Sequence, residues 1–334
     1  MELEKTALRI ESYQPSFEAE WDAFIDESLN GTFLQSRRFL NYHKNRFIDD
    51  SLLFFRGGKL VCVCPACAVD ESGGKTFWSH KGSTFGGLVL AEDECRAEKI
   101  LEIINLLKQY LNDNGYNKAV LKITSDLFSL KSADLLEYCL WKEGFNDFCE
   151  ISTYVDLAEC PTDYGTIFNA TRRNERNRWK KEGAYFTELF TEKEISVFYD
   201  LLANNLKKHE ASPVHTLVEL IDLKFERLPH EMSFYGTFLD NEMVAGCLLF
   251  KFLKAKTIHL QYMATHQGAA LLPSPAAFTY GSILEKASEQ GFLKASWGTS
   301  TFEQGRVLNN SLIKFKESLS NHYSQNKIYQ WKRL

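Results

Sequence analysis

From Ser51 the chain reads Leu-Leu-Phe-Phe-Arg-Gly-Gly-Lys-Leu-Val-Cys-Val-Cys. Two apolar runs of strand length flank Gly57-Gly58, which predicts a β-hairpin. Cys62 and Cys64 alternate with Val61 and Val63, so both thiols face one side of their strand. The arrangement returns from Ser233, where two apolar runs flank the polar turn Asp240-Asn241. A further strand follows each hairpin: Lys75-Thr-Phe-Trp-Ser-His in the first half, Lys256-Thr-Ile-His-Leu-Gln-Tyr in the second. A glycine-containing segment then leads into a helix, expected over residues 95–112 and again over 276–290. Both helices stop at a glycine, Gly115 or Gly291, suited to a left-handed C-cap. Gly115-Tyr-Asn-Lys-Ala-Val-Leu and Gly291-Phe-Leu-Lys-Ala-Ser-Trp then open matching strands. The shared Gly-aromatic-x-Lys-Ala junction favours duplication over the ordinary alternation of an α/β chain.

This pattern predicts two domains, residues 1–160 and 161–334, with Cys160-Pro161-Thr162 as linker. An enlarged helical arm, about residues 193–228 and broken near Pro213, has no counterpart in the first half. Composition adds bounds. The 334 residues are 44% hydrophobic, and 25 Phe, 14 Tyr and 6 Trp are material for two cores. The net charge of −5 excludes a bulk polyanion binder, so any phosphate or nucleic-acid contact requires a local basic patch. Of eight cysteines, Cys64 and Cys67 have C-x₂-C spacing, but Pro65 lies between them and neither a second pair nor a nearby histidine completes a zinc site. No metal is expected, and the thiols read as buried and reduced. No stretch nears the ~20 apolar residues that span a bilayer, and a cytosolic protein is expected.

Four segments carry a resemblance. They are Gly31-Thr-Phe-Leu-Gln-Ser-Arg-Arg-Phe-Leu-Asn-Tyr-His-Lys, Thr171-Arg-Arg-Asn-Glu-Arg-Asn-Arg-Trp-Lys-Lys-Glu-Gly, Gln261-Tyr-Met-Ala-Thr, and Leu312-Ile-Lys-Phe-Lys-Glu-Ser. In that order the chain resembles the Fem-type aminoacyltransferases, which join two GNAT-like acyltransferase units. The resemblance implies an α/β (α+β) fold of two tandem GNAT-like domains, each a mixed, mainly antiparallel sheet flanked by helices. It gives Phe315 and Lys316 a place near the transferred group, with the lysine steadying negative charge. It also singles out Tyr262, and Lys44 at the end of the first segment. One part of the pattern is missing. His266-Gln-Gly-Ala-Ala-Leu-Leu-Pro-Ser-Pro does not match the Gln/Arg-x-x-Gly-x-Gly/Ala loop that holds the CoA pyrophosphate in simple GNAT enzymes.

The residues themselves offer further candidates. At about 100° per residue, Arg172, Arg173, Arg176 and Lys180 share one helix face, with Trp179 at its edge. Such a stripe suits phosphate, or a solvated face paired with Glu175, Glu182 or acids elsewhere. Leu308, Leu312, Phe315 and Leu319 recur at helical spacing, which turns Phe315 to a core and leaves Lys316 at the border. Strict alternation puts His259, Gln261 and Met263 on one strand face, and Ile258, Leu260 and Tyr262 on the other. His209 and His215 flank Pro213, and His215, at a helix start, is a candidate general base. There is no nucleophile motif, which fits direct attack by an amine.

The expected function is transfer of an aminoacyl or acyl group to an amine of a phosphate-bearing acceptor, a cell-envelope precursor or nucleotide sugar. The donor is an aminoacyl-tRNA or an acyl-CoA, with no tightly bound cofactor. A CoA-dependent N-acetyltransferase and a non-catalytic tRNA- or RNA-binding protein are the alternatives.

Overall fold

The computed structural model describes residues 7–159, 163–208, 210–266 and 273–333. The chain forms two compact units, Met1–Glu150 with Gln325–Leu334, and Ile151–Ser324. The division falls earlier than the expected linker, and the C-terminal segment returns to the first unit. The reason is pairing: the last strand of the chain, His322–Lys332, runs antiparallel to Lys118–Lys122 from Ile328 onward. The expected linker, Cys160-Pro161-Thr162, lies outside the described residues, as does His209.

The first unit contains β1 (Leu8–Ser12), α1 (Glu18–Glu27), β2 (Leu52–Arg56), β3 (Lys59–Cys64), β4 (Cys67–Glu71), β5 (Gly74–Ser79), α2 (Ala97–Asp113), β6 (Lys118–Lys122) and α3 (Asp134–Lys142). Strands β1, β2 and β3 pair antiparallel. Pro65 has no N–H for a ladder and interrupts the edge between β3 and β4. As a result β3 stays with β2, while β4 pairs with β5. Strand β5 then runs parallel to β6. Helix α2 makes the crossover and buries Ile100, Ile103, Ile104, Leu107 and Leu111, spaced to form one face. That face meets Phe77, Tyr116, Ala119 and Leu121 in one core. The Arg37 guanidinium is buried between the rings of Tyr13 and Trp21 and is paired with Asp49.

The chain passes into the second unit within β7 (Asn146–Asp156). There follow α4 (Ala170–Lys181), β8 (Tyr185–Leu189), α5 (Glu192–Lys207), α6 (Leu217–Asp222), β9 (Met232–Leu239), β10 (Glu242–Phe252), β11 (Thr257–Thr265), α7 (Ala276–Glu289), β12 (Lys294–Thr299) and α8 (Asn310–Glu317). The sheet order is β8-β9-β10-β11-β12-β7, antiparallel except for β11 beside β12. Helices α5 and α6 occupy the predicted arm.

The repeat is visible in local geometry. Both hairpin turns hold two residues at positive φ, 58° and 84° at Gly57-Gly58, and 51° and 65° at Asp240-Asn241. That is the type I′ geometry whose twist suits a two-residue hairpin. Both crossover helices close alike: Gly115 N donates to Asn112 O and Tyr116 N to Leu111 O, while Gly291 N donates to Ser288 O and Phe292 N to Ala287 O. Each helix joins two parallel strands. The two halves differ just past that parallel pair. In the first, the chain itself covers the strand ends: Gly86 N donates to Lys122 O at 2.8 Å, and Lys122 Nζ donates to Ser83 O at 3.0 Å. In the second, the strands part.

Candidate active site

Parallel pairing of β11 with β12 spans Thr257–Lys294, Ile258–Ala295 and His259–Ser296. Beyond it β11 runs on to Thr265 and β12 to Thr299, with no ladder between them among the described residues. A bulge lies in each strand at this point. Opposite β10, Leu249 pairs with Leu260 and Leu248 with Tyr262, so Gln261 is the extra residue. Opposite β7, Ser296 pairs with Tyr154 and Gly298 with Thr153, so Trp297 is extra. Bulges sharpen the local twist, which steers the two strands apart.

The bulge also corrects the faces expected from strict alternation. His259 opposes Phe250 and Tyr262 opposes Leu248, which share a face of β10. Tyr262 therefore stands on the face of His259. Met263 opposes Cys247 and joins Ile258 and Leu260 against the core beneath α7. An extra residue in one strand shifts the two-residue period by one, and nothing in the residue types marks where.

Helix α8 begins at its N-cap Asn309, whose side chain accepts from Leu312 N. Phe315 turns inward against Tyr280, with ring centroids 5.8 Å apart. Lys316 is only 6% exposed. Its ammonium donates to Gly298 O at 3.0 Å and Thr299 O at 2.6 Å, the diverging end of β12. Among the described residues no carboxylate forms an ion pair with it. Burial without a counter-charge lowers its pKa to about 8.

His259 faces this lysine. Burial, reinforced by the nearby ammonium, lowers its pKa to about 3, so the imidazole is neutral. Its tautomer follows from Ser296, which is 1% exposed. The Ser296 hydroxyl accepts from Gly298 N at 3.3 Å and lies 3.2 Å from His259 Nδ1. The Ser296 hydroxyl, which already accepts from Gly298 N, can donate to Nδ1, the pairing that puts the ring hydrogen on Nε2. Gly298 has φ +74°, and a methyl group there would come within 3.1 Å of His259 Cε1. Sequence reading missed Ser296 and Gly298, although a glycine inside a strand is a bulge signal.

His215 precedes α6, whose Thr216 and Glu219 form a reciprocal capping box. It is buried, with Nδ1 2.8 Å from the Tyr262 hydroxyl. Burial raises the Tyr262 pKa and keeps the phenol protonated. Tyr262→Phe is expected to lower stability by about 1 kcal/mol in urea denaturation, since it strips a partner from a buried imidazole.

The basic stripe on α4 largely turns inward. Arg172 NH1 donates to Glu175 at 2.6 Å and Nε to Ser318 Oγ at 3.1 Å, with the guanidinium 4.9 Å above the Phe315 ring. Arg176 is buried and bonded to Asp163 at 3.2 Å and Glu285 at 2.5 Å. Lys180 reaches the same Glu285 at 3.0 Å. Gly281 of α7 leaves the room, since a methyl group there would lie 2.6 Å from Arg176 Nε. Of the two readings of this stripe, these contacts match acids answering the charges, two of them distant in sequence. Arg173 is exposed and, among the described residues, has no acid partner. Lys44 is exposed in the first unit, with φ 51°. Most of the loop after His266 lies outside the described residues.

No protein-family model and no curated protein matches the chain. Solved structures do. The crystal structure of FemX aligns over 97% of this chain and 97% of its own, with TM-score 0.69 and 12% identity. A tandem GNAT protein from the clavulanic acid biosynthesis pathway aligns over 98% of each chain, with TM-score 0.52 and 9% identity. The chain has the tandem GNAT-like fold. The C-terminal domain of a putative lysylphosphatidylglycerol synthetase from Agrobacterium fabrum shares this fold too, at TM-score 0.58 and 12% identity, over 95% of this chain and 92% of that one. Within the tandem GNAT-like fold, the parted strands of the second unit gather His259, Tyr262, Ser296, Gly298 and Lys316, with His215 beside Tyr262. No helix of the described residues is long and apolar enough to cross a membrane.

Proposed function

We propose that this protein is an acyltransferase that moves an aminoacyl or acyl group from an activated ester or thioester to an amine. The observation that carries this reading is Lys316, a buried ammonium with no carboxylate partner among the described residues, held at the parting of β11 and β12. Among the described residues the β12-facing N–H and C=O groups of β11 between His259 and Thr265 lack ladder partners, so an extended donor can lie along that edge as far as Thr265, whose N–H and C=O are bonded to the Asn205 side chain. The acceptor amine attacks the donor carbonyl carbon and the C–N bond forms. The carbonyl electron pair moves to oxygen, beside the Lys316 ammonium. Collapse breaks the bond to the leaving oxygen or sulfur. One amine proton passes to that leaving group, with the His215–Tyr262 pair placed to relay it.

The resemblance of the sequence to Fem-type aminoacyltransferases favours an aminoacyl donor, and the name of the putative lysylphosphatidylglycerol synthetase domain that shares the fold agrees with it. The open amide edge of β11 equally suits the amide-bearing arm of an acyl-CoA, the second reading. The acceptor is proposed to be the amine of a phosphate-bearing cell-envelope precursor or nucleotide sugar, with Arg173 as the exposed contact for phosphate.

The test supplies radiolabelled aminoacyl-tRNA or acetyl-CoA with a panel of such amines. Transfer of label to an acceptor amine supports the reading, and its absence with every pair removes it. Because the ammonium is the working form, kcat/KM is expected to fall as pH rises through about 8, the Lys316 pKa. A rising limb that disappears in Lys316→Met would make Lys316 a base, whereas one that persists in the variant belongs to the acceptor amine, which attacks unprotonated. His259, with its pKa near 3, stays neutral across this range and contributes no limb of its own.

A further inference from the structure

We infer that Arg172 is a positioning residue for the reaction: through Ser318 it fixes the last turn of α8 and so sets where the Lys316 ammonium stands. The inference rests on the acyl-transfer reading above and deepens it, by giving one arginine of the stripe a task toward Lys316.

Helix α8 has eight residues, and Lys316 lies in its last turn. A helix this short is marginal alone, so the contacts at its ends decide where it sits. Its N-terminal end is tied to the strand of the site, since Asn309 N donates to Ser300 O at 2.9 Å. Its C-terminal end is tied to α4. The N-cap of α4, Asn169, donates its N–H to Ser318 O at 3.1 Å. Arg172 Nε donates to Ser318 Oγ at 3.1 Å, and that hydroxyl donates to Phe315 O at 2.5 Å. Phe315 O belongs to the peptide group that joins Phe315 to Lys316, so this chain of two hydrogen bonds ends on the backbone of the lysine. The guanidinium also lies 4.9 Å above the Phe315 ring, while Glu175 holds NH1 at 2.6 Å. A planar guanidinium can present its face to a ring and its edges to two acceptors at once, which an ammonium cannot. From the clamped turn the lysine side chain reaches β12, where Gly298 O and Thr299 O accept from its tip. Held at backbone and tip, the ammonium stands in place before the substrate arrives, which is what stabilising a developing charge requires.

Arg172 exchanges no proton and touches no reacting atom. Its effect is on the distance between the Lys316 ammonium and the carbonyl oxygen on which negative charge develops. A shift of about 1 Å in such a group can cost about 100-fold in rate. Loosening the last turn of α8 also lets water reach the ammonium, and a hydrated ammonium holds its proton more tightly than a buried one. Loss of the clamp therefore has two signatures: kcat falls with little change in KM, and Lys316 titrates at higher pH. Loss of stability alone produces neither.

Carbon-13 NMR of protein labelled at the lysine ε-carbon follows the Lys316 titration with no substrate present, its resonance being the one lost in Lys316→Met. The wild-type midpoint is expected at about 8. In Arg172→Met and in Ser318→Ala proton binding is expected to tighten about threefold or more, seen as a midpoint moved upward. Ser318→Ala keeps every charge, so a rise shared by both variants comes from movement and not from the loss of a neighbouring cation. The double variant should titrate where Arg172→Met does, since both act through one chain of bonds. With whichever of aminoacyl-tRNA or acetyl-CoA supports turnover, each variant is expected to lower kcat by about 10-fold with KM within threefold, and the falling limb of the pH profile should move up with the midpoint. Arg176→Met is the comparison for a merely structural role: it loosens the same helix and is expected to leave the Lys316 midpoint at its wild-type value. A wild-type midpoint in both Arg172→Met and Ser318→Ala overturns the inference whatever their stability, and so does an equal shift in Arg176→Met. A midpoint that moves as expected, with no turnover by the wild type with any donor, overturns the acyl-transfer reading and leaves the placement of Lys316 by Arg172 standing.

Discussion

Lys316→Met is expected to lower kcat by about 10²- to 10³-fold, with little change in KM, in the acyl-transfer assay. The magnitude is that of removing one preorganised donor from a developing oxyanion in a water-poor site. Methionine keeps the length of the stem and removes only the charge and its hydrogen bonds. The variant also isolates the stability cost of the lysine. Burial lowers the folded pKa to about 8 from an ordinary 10.5. Between those values the unfolded chain binds more protons, so the contribution of Lys316 to stability improves as pH rises through that window. Below pH 8 the full penalty applies, up to about 3 kcal/mol from the pKa difference. The stability of Lys316→Met relative to wild type should therefore fall on going from pH 7 to pH 10, measured by urea denaturation at each pH. A pH-independent difference would mean that the ammonium is not desolvated, and the catalytic argument would lose its footing with it.

Arg176→Met is expected to act on stability, costing about 2–3 kcal/mol and leaving KM for a phosphate-bearing acceptor unchanged. Removing one member of a buried ion pair can cost about 3–5 kcal/mol when the stranded partner is also buried. Here the arginine side chain is 5% exposed, but Asp163 and Glu285 are 58% and 39% exposed and can rehydrate. The cost should then fall below that range, a drop in melting temperature of roughly 5–10 °C by calorimetry. Arg173→Ala is the contrasting variant. Its guanidinium is exposed, so stability should stay within about 0.5 kcal/mol. Its effect should be an increase in KM for the phosphate-bearing acceptor. A raised KM in Arg176→Met without loss of stability would return the whole stripe to ligand binding.

These two residues show how differently legible the site was. Arg172, Arg173, Arg176 and Lys180 stand out in any helical projection, yet a projection shows which charges share a face, not what lies opposite. Asp163 and Glu285 meet Arg176 only because α7 packs on α4, with Gly281 at the contact. Lys316 has no distinguishing local pattern at all. Its helix periodicity turned Phe315 inward and left the lysine at the border, and only the resemblance pointed further. Its low pKa arises from burial in the folded second unit, where the carbonyls of residues 298 and 299 accept from its ammonium.

By itself the sequence determined the local grammar of the protein. Two hairpins with positive-φ turns, two amphipathic crossover helices ending in glycine, and two strands opening with Lys-Ala follow from residue types within a few positions of one another. Such signals depend on backbone sterics and on one buried face, so they survive without tertiary information. The tertiary structure alone decided the rest. It placed bulges at Gln261 and Trp297, turned Tyr262 to the face of His259, and parted β11 from β12 in the second unit while closing the matching place in the first. Bulges, register and burial are set by the partner strand and the packed helix rather than by the residue itself, and from them come the neutral His259 and the desolvated Lys316.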